Sequence, residues 1–433
     1  MTLSHTPHLM TAQTGPMQLL ESQIINQHEQ IEKWFQTQWE SSAAPLYGSV
    51  DLRNSGFKLA PVDMNLFPAG FNNLQLNTSF VKLSVDAARM IIKQLVPDTK
   101  NILLIPESHT RNVFYWENVG ALLVILKEAG FVARVGSLRT DLTEPEEIVL
   151  ANGDKVKIET IERQDNKITL AGFSPDLILL NNDLSDGIPE ILQNLQQPIV
   201  PPAELGWSHR LKSNHFQYYS DVTEEFASFL QIDPWVITPL FKHCGQIDFM
   251  KREGEECLAS HVESLLKAVQ KKYAEYGVIQ QPYIVIKADA GTYGMGIMMV
   301  KSVEEVLSLN RKQRTHMSKS KGGQPVRSVI VQEGVYTFET WGQDSAVAEP
   351  VVYLWGENVV GGFYRVHKDR GIDENLNSPG MHFEPLPFAK TCNQPLYPPV
   401  PGECQNRFYA YGVVARLSML AAAREILDER KPI

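Results

Sequence analysis

Hydrophobic and polar positions follow two rhythms along this chain, and the change between them divides it. From Met17 to Trp39, Leu20, Ile24, Ile31, Trp34 and Phe35 recur at near-helical intervals among Gln and Glu, which predicts one amphipathic helix that packs by its apolar stripe. Beyond Pro45 come short apolar runs closed by polar residues or Gly and Pro: Asn101 to Ser108, Phe131 to Leu138, Asp176 to Asp183, and one ending at Pro202. A helical stretch from Asn118 to Ala129 lies between the first two. That alternation predicts a parallel α/β sheet. Between the second and third runs, Lys155 to Gly172 holds two alternating segments about a polar turn at Asp165 and Asn166, the pattern of a hairpin.

The C-terminal half reads differently. Glu255 to Tyr276 carries Leu258, Val262, Leu265, Leu266 and Val269 on one helical stripe. After it, Pro282 to Ser302, Ser328 to Thr337 and Ala348 to His367 read as antiparallel hairpins, and a final helix spans Arg407 to Glu429. Strands and helices grouped in this way predict an α+β unit. With the main boundary near Pro202, the expected organisation is a helical segment 1–45, an α/β substrate domain 46–203 and a catalytic unit 204–433. The most loop-like interior stretch is Ser318 to Gln324, between a helix and a strand, and no internal repeat is present.

Composition narrows the function classes. A chain of 433 residues with 43% hydrophobic and 21% charged positions folds into more than one packed unit, and neither wholesale disorder nor a coiled-coil rod fits it. Lys+Arg 40 against Asp+Glu 50 gives a net charge of -10, which argues against a nucleic-acid-binding surface and leaves room for a local basic pocket. The four cysteines, Cys244, Cys257, Cys392 and Cys404, lack the two-residue spacing of a zinc knuckle and are expected to be reduced and incidental. No basic start with an apolar run opens the sequence, and the most apolar stretch, Phe408 to Ala423, carries Arg416, so a cytoplasmic protein without membrane contact is expected.

Three segments could carry chemistry. In Tyr283 to Val300 a β-type run ends in Lys287 and is followed by Gly291, Gly294 and Gly296. Glycines let backbone N-H groups close on a polyanion and the lysine adds a compact charge, which suits a triphosphate; a glycine hairpin without ligand is the alternative. The strand exit at Gln332, Glu333, Gly334 and Val335 could read an adenine edge, or simply end a core strand. Glu374, Asn375 and Asn377 offer oxygen donors for Mg²⁺, against the reading of an Asn-rich turn that satisfies its own backbone. Upstream, the guanidinium fork of Arg365 could clamp a phosphoryl oxygen or a carboxylate, or form a salt bridge.

Taken in order, Lys212, Lys287 with its glycine loop, Gln332 to Val335, Arg365 and the Glu374 to Asn377 cluster resemble the ATP-grasp superfamily, in which two α+β lobes hold ATP between them. Asn375 stands where many members carry the Glu of an E-x-N metal pair, which leaves Glu374, Glu349 or another group as the acidic ligand. Over a longer span, KLAPVDMNLFPAGFNNL, IPESHTRN, YIVIKADAGTYGMGIM, GGFYRVH and ENLNSPGMHFEPL resemble the proteobacterial glutamate-cysteine ligase family that is separate from the enteric type. That resemblance implies ATP-dependent phosphorylation of the glutamate side chain and capture by the cysteine amine, with ATP and Mg²⁺ as cofactors and glutamate and cysteine as the small-molecule partners. Lys212, Lys287 and Arg365 would then be catalytic. An acyl phosphate needs cations and exclusion of water, and no protein nucleophile. For the amino acids the N-terminal half supplies Arg53, Asn65, Asn72, Asn73, His109, Arg111 and Asn112, each with a turn or a solvated charge as its alternative role. Glutathione synthetase or another ligase of the superfamily, and a non-catalytic nucleotide-binding regulator, are the competing functions.

Overall fold

In the strand Tyr47–Asn54, Val50 and Leu52 alternate with Ser49, Asp51 and Arg53, so one face is apolar and the other polar. In the computed structural model, which describes residues 16–74, 78–108, 112–291, 296–319, 325–386 and 407–429, this strand lies inside an antiparallel sheet. Leu59–Asn65 flanks it on one side; Ala346–Trp355, Asn358–His367 and His382–Pro385 follow on the other, with Glu339–Trp341 also paired to Ala346–Trp355. The apolar face packs against the helix Arg407–Glu429, itself backed by the helix Lys212–Leu230, and Val50, Leu52, Val352 and Leu354 are buried in the largest core. The polar face looks into a cavity.

That pairing revises the domain division. Val50 stands opposite Val352, so the hairpin within residues 47–65 belongs to the sheet of residues 346–385, although composition placed it in a unit ending at 203. Alternation identifies a strand but not its partner, and here the partner is distant in sequence.

The parallel sheet is the one the apolar runs predicted. Ile199–Val200, Leu177–Asn181, Asn101–Pro106, Val132–Ser137 and Lys155–Thr160 run parallel, and Glu146–Val149 adds an antiparallel edge. Continuous apolar runs follow from burial on both faces: Ile102 and Leu104 pack among residues of the helices Thr78–Leu95 and Val113–Glu128, while Leu103 and Ile105 face the main core. The expected hairpin is shorter, Glu162–Gln164 with Lys167–Thr169, because the preceding segment Lys155–Thr160 has joined this sheet.

A second antiparallel sheet has the order Phe241–Gly245, Ser328–Glu333, Ile284–Ala288, Ile297–Val300. The helix Glu255–Tyr276 covers it, setting Leu258, Val262 and Leu265 against Ile284, Ile286, Val329 and Val331. The expected N-terminal helix is two, Pro16–Asn26 and His28–Ser41, because Gln27 leaves helical torsions and lets both stripes bury in the main core. Ion pairs secure the C-terminal helix: Arg210 holds Glu425 at 2.9 Å and Arg416 holds Glu32 at 2.7 Å. No helix among the described residues is long and apolar enough to cross a membrane.

Candidate active site

A cavity of about 1070 Å³ opens where the two antiparallel sheets meet the carboxyl ends of the parallel strands. Glu107 and Asp183, just beyond Asn101–Pro106 and Leu177–Asn181, reach it, in the position where open α/β sheets bind ligands. Asn118 accepts from the N-H groups of Gly70 and Phe71 at 2.9 and 3.0 Å and donates to Asn181, which pins the loop bearing Asn72 and Asn73 against the cavity.

One wall carries lysines. Lys287 donates to the Val62 carbonyl at 2.7 Å and to Gln332 Oε1 at 2.8 Å. Burial pulls its ammonium down to about 8 despite the nearby carboxylate of Asp63. Lys212 opens its helix, lies 3.7 Å from the centre of the Trp207 ring and pairs with Asp63 at 3.1 Å. Burial would raise Asp63, yet Lys212 and Lys287 hold it below the usual carboxylate range. Gly291 and Gly296 flank the glycine loop with φ of +100° and +63°, a region that strains any residue with a Cβ.

The other wall carries arginines. Arg365 bridges Asp51 and Glu349, and Arg53 holds the second oxygen of Glu349 at 2.9 Å. Against the desolvation penalty, these pairs raise both guanidinium pKa values and lower that of Glu349. Asp51 stands directly opposite Asp63 in the strand pair, like charge facing like charge. Its carboxyl is raised, first by burial and then, against the pull of Arg365, by Glu349 and Asp63.

Among the residues singled out in the sequence, Arg53, Asn65, Asn73, Asn112, Lys212, Lys287, Gly291, Gln332, Glu333, Val335, Arg365, Glu374, Asn375 and Asn377 line this cavity. Gly296 sits just behind it, its carbonyl accepting from Ala288, and His109, Arg111 and Gly294 lie outside the described residues. Lining is not availability. Glu333 points inward, held by Lys58 at 2.7 Å, by Trp235 Nε1 and by the Leu240 N-H. The N-H groups of Glu333 and Gly334 and the Val335 carbonyl are likewise paired with protein groups. Arg53 is a latch between elements, donating also to Tyr283, Val335 and the Glu374 carbonyl. Asn65 and Asn112 cap their own turns through Phe67 N and Phe114 N. Glu374 is held by Arg370 and the Gly371 N-H, and Asn375 accepts from Asn377 N, which is the turn reading of that cluster.

Four buried polar atoms of the cavity wall have no hydrogen-bond partner among the described residues: Gln332 Nε2, Arg365 Nε, Trp207 Nε1 and Asn72 Oδ1. Three donors and an acceptor left unmet at one cavity point to a polar ligand. Asp51 and Asp63 went unnoticed as functional groups in the sequence, although the Ser49, Asp51, Arg53 alternation was visible.

Comparison with known proteins agrees with this chemistry. A sequence model of the glutamate-cysteine ligase family matches residues 21–426. A crystal structure from Methylobacillus flagellatus KT, described as a "Putative gamma-glutamylcysteine synthetase", is 54% identical, with 98% of this chain and 99% of that one covered at a TM-score of 0.90. A glutathione synthetase-like effector from Globodera pallida aligns over 86% of this chain and 80% of its own at 10% identity, with a TM-score of 0.36, too loose to argue from. No curated protein matches. With the match spanning nearly the whole chain and a cavity lined by lysines, arginines and facing carboxylates, the chain belongs to the glutamate-cysteine ligase family, ATP-dependent enzymes of glutathione biosynthesis.

Proposed function

We propose that the enzyme joins glutamate to cysteine through a γ-glutamyl phosphate, with both half-reactions in the one cavity. The observation that carries this reading is the set of unmet donors, Gln332 Nε2 and Arg365 Nε, beside the ammonium groups of Lys212 and Lys287. The lysines take the phosphates of ATP, and Lys287 becomes fully charged as they enter. Arg365, whose Nη1 is held by the carboxylates of Asp51 and Glu349, turns its unmet Nε donor to the oxygen that gains charge as the phosphoryl group moves. The cysteine amine then attacks the acyl carbon, the carbon to oxygen bond to phosphate breaks, the electron pair leaves on phosphate, and the proton that the amine sheds goes to the departing phosphate or to water.

Magnesium fits the donor set. Asp51 and Asp63 face each other across one strand pair, hard oxygens whose mutual repulsion a divalent cation would relieve, and the Asp63 side chain is 40% exposed. We assign the metal to this pair, whose two carboxylates the strand register sets opposite each other in the cavity wall. When bound, the cation neutralises phosphate charge during transfer. The reliance on ATP and free amino acids favours a cytoplasmic location.

Incubation with ATP, glutamate and hydroxylamine in place of cysteine tests the intermediate. Formation of γ-glutamyl hydroxamate with one ADP per product is expected; AMP and pyrophosphate would indicate adenylation and overturn the mechanism.

A further inference from the structure

Away from the cavity, two cysteines on neighbouring elements of the chain, a strand and the helix that follows it, meet. Cys244 lies on the strand Phe241–Gly245 with its side chain buried, and Cys257 and His261 lie one turn apart on the helix Glu255–Tyr276. Residues at i and i+4 share a helix face, so both helical side chains are offered to the strand together. Cys244 Sγ is 2.8 Å from Cys257 Sγ and 3.4 Å from His261 Nδ1, and the three ligand atoms lie within 4.8 Å of one another. None of the three lines the active-site cavity.

We propose that Cys244, Cys257 and His261 form a binding site for a thiophilic divalent cation, Zn²⁺ first among them, with the fourth position open to water. The donor types are those zinc prefers, two thiolates and an imidazole. Tetrahedral zinc with ordinary bond lengths sets its ligand atoms about 3.5 to 3.8 Å apart, so the sulfur to imidazole spacing is nearly right already. The sulfur pair must widen by about 1 Å, which the exposed Cys257 in the first helical turn achieves by side-chain rotation. The frame is set in advance. Between strand and helix, the Ile247 N-H donates to the Arg327 carbonyl, Asp248 and Glu253 exchange backbone hydrogen bonds, and Asp248 Oδ1 accepts from the N-H groups of Met250 and Lys251. Binding therefore fixes side chains without ordering a loop. Its consequence is a cross-link between the edge strand and the covering helix of the sheet that bears Lys287.

The test uses the full-length protein, reduced and stripped with a chelator, then titrated with Zn²⁺ against a chromophoric competitor, and separately with Cd²⁺ to read thiolate-to-metal absorption. One equivalent of each ion, a Cd²⁺ band sized for two sulfurs and a raised melting temperature are expected. Cys257→Ser and His261→Ala, at exposed and half-buried positions, are expected to weaken Zn²⁺ by more than about 100-fold, beyond the upper end of what losing an outer-shell partner costs. Both are expected to keep ligase activity. The double variant Cys392→Ser/Cys404→Ser is expected to bind as the parent does. Absence of a stoichiometric ion in the reduced protein, uptake unaffected by Cys257→Ser and His261→Ala, or a Cys244 to Cys257 disulfide that yields no metal binding on reduction would each overturn the proposal.

Discussion

The two cationic walls of the cavity hold their charge in different ways. On the arginine wall, Arg53 and Arg365 share Glu349, and Arg365 also holds Asp51, so cation and anion are fixed together before any substrate arrives. On the lysine wall, Lys287 is held by a carbonyl and an amide oxygen, neutral groups that leave its ammonium near 8, where its charge depends on what else is bound. One wall is a rigid template and the other a conditional one. A carboxylate substrate that must be aligned for attack benefits from the first, and a polyphosphate that arrives and departs as a different species benefits from the second.

The largest effect is expected where the template is broken. Arg365→Ala leaves Glu349 and Asp51 to share the remaining cations, and removing one partner of a buried pair costs about 3 to 5 kcal/mol. Urea unfolding reads this directly, and glutamate turnover is expected to vanish with it. Arg365→Lys is expected to recover much of the stability but not the activity, because an ammonium can take the place of Nη1 between the two carboxylates but cannot also supply the Nε donor left for substrate. Full stability in Arg365→Ala would show that the wall is no template.

Lys287→Met sharpens the contrast, since it removes conditional charge and keeps the packing. Loss of a charge-assisted contact in a desolvated site is worth about 2 to 5 kcal/mol, so kcat/KM for ATP is expected to fall roughly 30-fold to several thousand-fold while melting barely moves. The pH dependence carries a definite sign. The folded lysine titrates near 8 and the unfolded one near 10.5, so between these values the unfolded chain holds more protons and this group favours folding increasingly as pH rises. Binding of ATP requires the proton back. Above pH 8, ATP binding is expected to take up a proton and weaken by up to about tenfold per pH unit, and Lys287→Met to flatten that profile. Lys58 is also drawn down to about 8 by burial, but it pairs with Glu333 and does not line the cavity, so it leaves the profile unchanged. Calorimetry in buffers of different ionisation heat measures the uptake; none at pH 9 would refute the conditional wall.

How much of this was legible follows from what each signal encodes. The parallel sheet was readable because burial on both faces demands continuous apolar runs, and Glu255–Tyr276 because its apolar stripe is local. Lys287 and Arg365 were readable because each ends an apolar strand at a chemically distinctive position. The pairing of Tyr47–Asn54 with Ala346–Trp355 was not, since period-2 alternation is blind to register between distant segments. Asp51 and Asp63 carry no local signal of a shared site, because only the strand register sets them opposite each other. Nothing local reveals Lys58 and Trp235 as the partners of the Glu333 carboxylate, since both come from distant segments. Cys244 and Cys257 looked incidental because a strand, a loop and a helical turn separate ligands that zinc motifs usually place two residues apart.

The smallest expected effect separates the facing aspartates from the Glu374 to Asn377 turn as the place of magnesium. Asp63 and Asp51 belong to neighbouring strands of one sheet, so their separation is fixed by backbone pairing, whereas Glu374 and Asn375 lie in a turn held by Arg370, Gly371 N and Asn377 N. Asp63→Asn keeps the shape and removes one charge, and is expected to raise the magnesium needed for half-maximal activity roughly tenfold or more. Because Asp63 also pairs with Lys212, the same variant disturbs the lysine wall; Lys212→Met is the control, expected to weaken ATP without shifting the magnesium curve. Asn375→Ala removes a turn hydrogen bond worth about 1 kcal/mol, so it is expected to lower stability and leave the magnesium requirement where it was. Magnesium titrations at saturating ATP for the three variants decide the matter. A shift in Asn375→Ala with none in Asp63→Asn would return the metal to the turn and leave the repulsion between Asp51 and Asp63 without a function.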